Sequence, residues 1–396
     1  MSTIDELGHP VFDADNHYYE ALDAFTRHLD PRLGPRCVQW ADFDGRKYQV
    51  VGGRVARVVS NPTFDPIAKA GAMHDYFRGN PDQKFPLEFL RDREPIRPEY
   101  RDRDARLQAM DTQDLERIWL FPTLGMLYEE LLKNDPEAVT LTFTAFNRWV
   151  EEDWGFHHAE RIFGAPYISL ADVDWAVREL EWAIDKGTRL VVMRPAAPTT
   201  ALGQRPSTDP MFDPFWARVN EAGVTVVVHA ADSGYSSQGY AKDGFAATFE
   251  GAERPSIKML TMERAIYDFL ASLVFDDLFS RFPNLRIASV ENGSEFLPDL
   301  LKKLDSVHRR IPGFFREDPR EIFRRHVWIN PFWEDDVYEI AEHVGDDRVI
   351  FGSDWPHIEG MPEPLDYVRE LKDFGPDARR RILHDNAAEL TTLRPA

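Results

Sequence analysis

The chain has 396 residues, 43% of them hydrophobic and 12% aromatic, which is enough apolar material for a large core. Forty-seven Lys and Arg face 68 Asp and Glu, giving a formal charge of −21 and a pI near 5.0. Such a field repels phosphate backbones and anionic membrane surfaces, and no basic cluster overrides it.

The single cysteine, Cys37, excludes an intramolecular disulfide and a thiolate zinc cluster. The opening MSTIDELGHP lacks the basic start and apolar core of a secretory signal. No apolar run approaches the roughly 20 residues of a membrane span. The expectation is a soluble, cytoplasmic protein with a small-molecule substrate and with neither nucleic acid nor membrane as partner.

Eight short apolar runs recur along the chain, each followed by turn residues and a helical-looking stretch. In order they are HPVFDADNH near residue 11, ERIWLFPTLG near 117, APYISL near 166, and TRLVVMRP near 189. VTVVVHAADSG near 224, LRIASVENG near 285, HVWINPFW near 327 and RVIFGSDWPH near 348 complete the set. Continuous branched apolar runs describe strands buried on both faces. Between them, DVDWAVRELEWAIDKG carries helical spacing with Gly187 as its stop, and DPFWARVNEAG reads the same way. Strands alternating with helices predict parallel pairing through right-handed crossovers, and eight of them suit a closed (β/α)8 TIM barrel.

The first two runs lie about 100 residues apart, far more than one crossover needs. Within that gap FDGRKYQVVGGRVARVV predicts a β-hairpin turning at Gly52-Gly53. Residues 38–103 are read as an insertion after strand 1, lying over the barrel mouth. Residues 233–262, rich in Gly, Ser and Tyr, are read as a lid-like loop. Dividing the length by roughly 150 would give two or three domains, but one barrel spanning 1–396 takes roughly 250 residues and leaves the surplus to these two segments.

Active sites of such barrels lie at the C-terminal strand ends. The first run ends in Asp13, Asp15 and His17, and two-residue spacing turns Asp15 and His17 to one face. The fifth run leads directly into His229, and the eighth ends in Gly352-Ser353-Asp354-Trp355-Pro356-His357. Asp15, His17, His229 and Asp354 thus form a candidate ligand set for one divalent cation.

On these motifs the chain resembles the amidohydrolase superfamily, in the amidohydrolase-related branch that also holds aminocarboxymuconate semialdehyde decarboxylase. The resemblance runs from FDADNH through VVVHAADSG and RFPNLRIASVENGS to IFGSDWPH and ILHDNAAEL. It implies a mononuclear metallo-enzyme on a (β/α)8 barrel, with His229 and Asp354 at the family's metal positions. Asp15 stands where the family has the first histidine of His-x-His, a harder oxygen donor that keeps both zinc and manganese in view. Glu291 stands where the family often has a histidine at the end of strand 6, as either a proton carrier or a structural partner. Strand 4 offers Arg194 and no lysine, which favours one metal over two.

Arg194 is expected to hold a substrate carboxylate with its planar fork, or else to pair with a neighbouring acid such as Glu291. His357 and Glu359 follow Asp354 closely enough to orient it. Tyr18, Tyr19, Trp333 and Trp355 are candidates for an aromatic pocket, whereas His157-His158 lacks metal-type spacing. The leading expectation is hydrolysis of a small carboxylated, cyclic or aromatic substrate by a metal-activated water. Asp354 would act as general base, with His229, Glu291 and Arg194 assisting. Non-oxidative decarboxylation on the same site and a non-catalytic metal-dependent ligand-binding barrel are the alternatives. An assembly of several copies would be compatible with the Pro-rich insertion.

Overall fold

The computed structural model describes residues 7–59, 61–235 and 261–396. Its first strand, β1 (Phe12–Tyr18), is buried along its whole length. A three-stranded antiparallel sheet follows, of β2 (Val38–Phe43), β3 (Arg46–Val51) and β4 (Arg54–Val55). Asp44-Gly45 and Gly52-Gly53 make its turns, and all four residues have positive φ. Paired positive φ is what tight two-residue hairpin loops require. The hairpin expected at Gly52-Gly53 is therefore the second of two, and Asp44 takes a left-handed conformation open to Asp as well as Gly. A short ribbon of β5 (Ile67–Ala68) with β6 (Arg93–Glu94) closes this region.

Next come β7 (Arg117–Pro122), β8 (Ile162–Gly164) and β9 (Leu190–Met193). A small ribbon joins β10 (Thr199–Thr200) to β11 (Gly203–Gln204). Then follow β12 (Thr225–His229), β13 (Ile287–Val290) and β14 (Val327–Ile329). The ladders are parallel, in the orders β1-β7-β8 and β14-β13-β12-β9. Val191, Val192, Val226, Val227 and Ile287 are fully buried, as strands covered on both faces must be.

APYISL is displaced from the expected strand. The ladder stops at Gly164, and Pro166 lends only its carbonyl, which accepts from Val192 N at 3.0 Å. Proline has no N–H to continue a ladder, so pairing resumes as a single bridge from Tyr167 to Val192. The eighth run likewise forms bridges rather than a continuous ladder. Ile350 N donates to Ile329 O at 2.9 Å, and Ala14 N donates to Phe351 O at 2.8 Å, so this run lies between β14 and β1.

The two predicted helices form as Val173–Asp185 and Asp213–Ala222. The Asp172 side chain caps the first by accepting from Trp175 N, and Gly223 ends the second in the left-handed region. No helix of the described residues is long and apolar enough to cross a membrane. The chain is thus an α/β protein in which the C-terminal ends of the parallel strands β1, β7, β12 and β13 meet at one cavity.

Candidate metal centre and active site

Alternation along β1 sends Asp15 and His17 to the same side, although the pairing with β7 slips between Asp13 and Asn16. His17 Nδ1 lies 3.2 Å from Pro122 O, and His229 Nδ1 lies 2.9 Å from Ala230 O. A carbonyl only accepts, so both rings carry their proton on Nδ1 and aim an Nε2 lone pair inward. The two Nε2 atoms are 3.3 Å apart. Asp15 Oδ1 lies 3.2 Å from His17 Nε2 and 3.4 Å from His229 Nε2; Glu291 Oε2 lies at 3.4 and 3.2 Å from the same atoms.

Four donors of two nitrogens and two oxygens thus converge on one point, within 4.8 Å of each other. Facing lone pairs repel unless a positive charge sits between them, and Asp15 Oδ1 is buried with no hydrogen-bond partner of its own. The set fits a single divalent ion. Burial opposes a charge on His17, but hydrogen bonds to Asp15 and Glu291 outweigh it and push its pKa up to about 10. Protons are drawn to this point as a cation would be.

Asp354 was expected among the ligands. Its Oδ1 lies 3.4 Å from His17 Nε2, but it belongs to a second, overlapping group with His17, Glu291 and His357. It sits closest to His357, with Oδ1 2.6 Å from Nδ1. His357 Nε2 is 2.8 Å from Thr123 Oγ1, whose hydroxyl donates to Tyr18 O at 2.8 Å. Thr123 has one proton and gives it to the carbonyl, so it accepts from His357 Nε2–H. His357 Nδ1 then faces Asp354 with a lone pair, and a contact of 2.6 Å requires a shared proton. The charge balance agrees. Burial, then the charges of Glu291, Glu359 and Asp15, holds Asp354 well above the usual carboxylate range. Burial and the nearby His17 and His229 hold His357 well below the usual imidazole value.

The surrounding backbone fixes these groups. Asp354 N donates to Asp15 O, and His17 N donates to Trp355 O, both at 2.8 Å. Asn292 Nδ2 bonds Val228 O and Val290 O at 2.8 Å, tying the strand ends that carry His229 and Glu291. Glu291 and Asp354 both have positive φ, a cost carried where chemistry needs the side chain aimed. Gly352 is required by close approach, since a Cβ there would meet Asp15 Cβ at 2.4 Å and Asn330 Nδ2 at 2.8 Å. Gly352→Ala is expected to displace Asp15 and weaken metal affinity about 10–100-fold, as loss of ligand support typically does. Competition titration with a chelator would measure it; unchanged affinity would remove Asp15 from the ligand set.

A cavity of about 1140 Å³, its mouth included, opens above this centre. His17, His229, Glu291, His357 and Glu359 line its polar end. Burial, then the charge of Glu291, pushes Glu359 up to about 7. Tyr19 lines the cavity, with its hydroxyl donating to Pro356 O at 3.1 Å. The remaining wall is mostly apolar and comes largely from residues 58–93.

The expected aromatic lining is otherwise corrected. Tyr18 points away and packs on Trp149 and Trp154, because neighbouring strand residues face opposite sides. Trp333 stacks on His74 at 4.3 Å and donates to Glu359 O; Trp355 packs against Tyr100 and beneath Arg106. Arg194 is corrected too. It is buried, with Nη1 2.8 Å from Glu130 Oε2 and from Asp232 O, and Nε 3.4 Å from Glu129 Oε2. These partners occupy its fork away from the cavity that holds the metal centre. His157 and His158 lie far from the cluster in contacts, His157 stacking on Phe163. The 233–262 loop lies for the most part outside the described residues. Thr123 and the cavity residues of 58–93 were missed, since neither a threonine after a strand nor an aperiodic Pro-rich segment signals a site.

Parallel strands, a convergent His/Asp/Glu cluster and a cavity at the strand ends define an enzyme of the metal-site α/β class. The chain belongs to the amidohydrolase family, which it matches over residues 73–391. It is similar to an amidohydrolase from Mycobacterium avium subsp. paratuberculosis, 43% identical over 97% of this chain and 99% of that one, with a TM-score of 0.90. A 5-carboxyvanillate decarboxylase from Novosphingobium aromaticivorans, solved with bound manganese, shares the fold at 15% identity and TM-score 0.60, with 99% of each chain covered. Among curated relatives, 2-amino-3-carboxymuconate-6-semialdehyde decarboxylase of Dictyostelium discoideum is 25% identical over 137 residues, 32% of this chain and 36% of its own length. A 4-sulfomuconolactone hydrolase of Hydrogenophaga intermedia is 36% identical over 86 residues, 16% of this chain and 28% of its own. The chain therefore matches about a third of the length of these curated relatives.

Proposed function

We propose that this protein is a metal-dependent enzyme that removes CO2 from a small organic acid without oxidation. The fold reading behind it is one closed (β/α)8 barrel. The bridges Tyr167–Val192, Ile329–Val349 and Asn16–Trp355 support closure by joining the two ladders and the eighth run around one axis. Residues 38–103 are then an insertion whose side chains cover the mouth.

Asp15, His17, His229 and Glu291 would hold one manganese or zinc ion, whose N/O donor set suits either. The bound ion would supply Lewis acidity toward the substrate oxygens. The Asp354–His357 pair holds one proton in its 2.6 Å contact and is the acid of the reaction. As the bond to the carboxyl carbon breaks and CO2 leaves, the electron pair left on the substrate carbon takes that proton. Bulk water then reloads the pair. The apolar cavity wall excludes water from the carbon as it is protonated.

The observation that carries this reading is the hydrogen-bond relay in which His357 Nε2–H donates to Thr123 and Thr123 donates to Tyr18 O, which makes the resting pair an acid rather than a base. Hydrolysis begins by taking a proton from water and would need the pair unloaded. Hydrolysis is kept as the second reading because the stretch of 36% identity belongs to a hydrolase. Incubating the manganese-loaded enzyme with aromatic and unsaturated carboxylates in heavy-oxygen water separates the two. CO2 release with no label in the organic product is expected. Label in a product acid without CO2 would overturn decarboxylation in favour of hydrolysis.

A further inference from the structure

The cavity is built asymmetrically. Its deep end is acidic, with Glu291 and Glu359 beside the two histidines. Its sides are apolar, formed by Val58, Phe64, Ile67 and Leu90 from the long segment after β1 and by Met126 and Ile358. Arg93 is the one cation other than histidine among the described lining residues, and it sits on the β5–β6 ribbon. Its Nε donates to Leu90 O at 3.2 Å, which anchors the guanidinium and leaves its terminal nitrogens to other partners. Neighbouring charges are taken: Asp92 pairs with Lys69, and Glu94 pairs with Arg97. Arg93 makes no ion pair among the described residues, whereas Arg194 is ion-paired with Glu129 and Glu130.

We propose that the substrate carries a second anionic group, held by Arg93, separated from its reacting end by an apolar body. This rests on the reading of the metal centre as the place where the reacting end binds. An anchored guanidinium recognises a carboxylate through two parallel hydrogen bonds. The apolar sides favour a body that leaves no polar group unpaired against them. The distal cation also gives an acidic protein a way to orient an acidic ligand end to end.

The test uses calorimetric binding to the manganese-loaded full-length enzyme, with naphthalene-2,6-dicarboxylate, naphthalene-2-carboxylate and benzene-1,4-dicarboxylate as probes. The naphthalene diacid is expected to bind about tenfold tighter than each of the other two. Arg93→Gln is expected to erase the gap between diacid and monoacid while leaving monoacid affinity and metal content unchanged, and Arg93→Lys to restore part of it. Equal binding of the two naphthalene acids by the unaltered enzyme would overturn the role of Arg93, as would a gap that survives Arg93→Gln. Equal binding of the one-ring and two-ring diacids would overturn the apolar body. Because binding is read without turnover, an enzyme that binds as expected yet releases no CO2 would sink the reaction assignment and leave this one standing.

Discussion

Asp354→Asn is expected to lower kcat for CO2 release by about 10²–10⁴-fold, the range that a positioned acid contributes. The amide keeps the size of the carboxyl and can still donate to His357 Nδ1, so the 2.6 Å contact that orients the ring survives in outline. What it loses is a proton it can give away. Metal content should stay near one ion per chain, because Asp15, His17, His229 and Glu291 converge without Asp354. Thermal stability should change little, since burial already keeps Asp354 largely uncharged without a cation present. His357→Gln should cost less, as it removes the partner and keeps the acid. Elemental analysis beside steady-state kinetics checks both. Loss of metal from Asp354→Asn would return Asp354 to the ligand set, and near-normal turnover would place the acid elsewhere.

The parts of the site that could be read from sequence are those set by local geometry. Asp15 and His17 are two apart on one strand, so the pleat alone puts them together. His229 and Asp354 end apolar runs, and runs of that kind become strands whose ends converge. The same parity rule, carried two residues further, selects Tyr19 for the cavity and turns Tyr18 into the core beside Trp149 and Trp154. Arg194 could not be resolved this way. Its partners Glu129 and Glu130 lie more than sixty residues away, and nothing local announces that their helix end will meet β9. Thr123 is a similar case. Its role depends on donating to Tyr18 O while accepting from His357, a three-way contact across distant segments.

Charge assignments were out of reach for a related reason. Glu291 stood between proton carrier and structural partner in the sequence, and its identity gave no way to choose. Its placement among two imidazole nitrogens and Asp15 gives it the geometry of a ligand, while in the proposed reaction an imidazole comes from His357 of the eighth run. His357 stacks on His17 with centroids 3.9 Å apart, so the proposed acid lies against the proposed ligand cluster. The residues 58–93 that wall the cavity carry no period at all. Their apolar members pack into hydrophobic clusters and at the same time line the cavity, and no repeat distance encodes that.

The largest loss of stability is expected at Asp13, two residues before the first proposed ligand. Asp13 is fully buried, and its carboxylate accepts from Asp15 N at 3.1 Å, Ser353 N at 2.9 Å, Asn16 Nδ2 at 2.9 Å and Ser353 Oγ at 2.5 Å. It thereby clamps β1 to the loop that carries Asp354. Asp13→Ala strands four buried donors, at about 1–3 kcal/mol each, offset in part by sparing a buried charge. A net loss of about 3–5 kcal/mol is expected in denaturant unfolding, together with weaker metal binding, because both Asp15 and Asp354 lose their support. The pH dependence gives a second check. Burial raises Asp13 in the fold from 3.8 to about 6 against its hydrogen bonds, so the folded state binds this proton more tightly than the unfolded one. Its contribution to stability is therefore greatest below about pH 4, falls as pH rises to about 6 and is flat above. Asp13→Asn cannot titrate and lacks that fall, so the stability gap between it and the unaltered protein should narrow as pH rises from 4 to 6. A gap that widens over this interval would mean that Asp13 is ionised throughout, with a folded pKa below that of the unfolded chain.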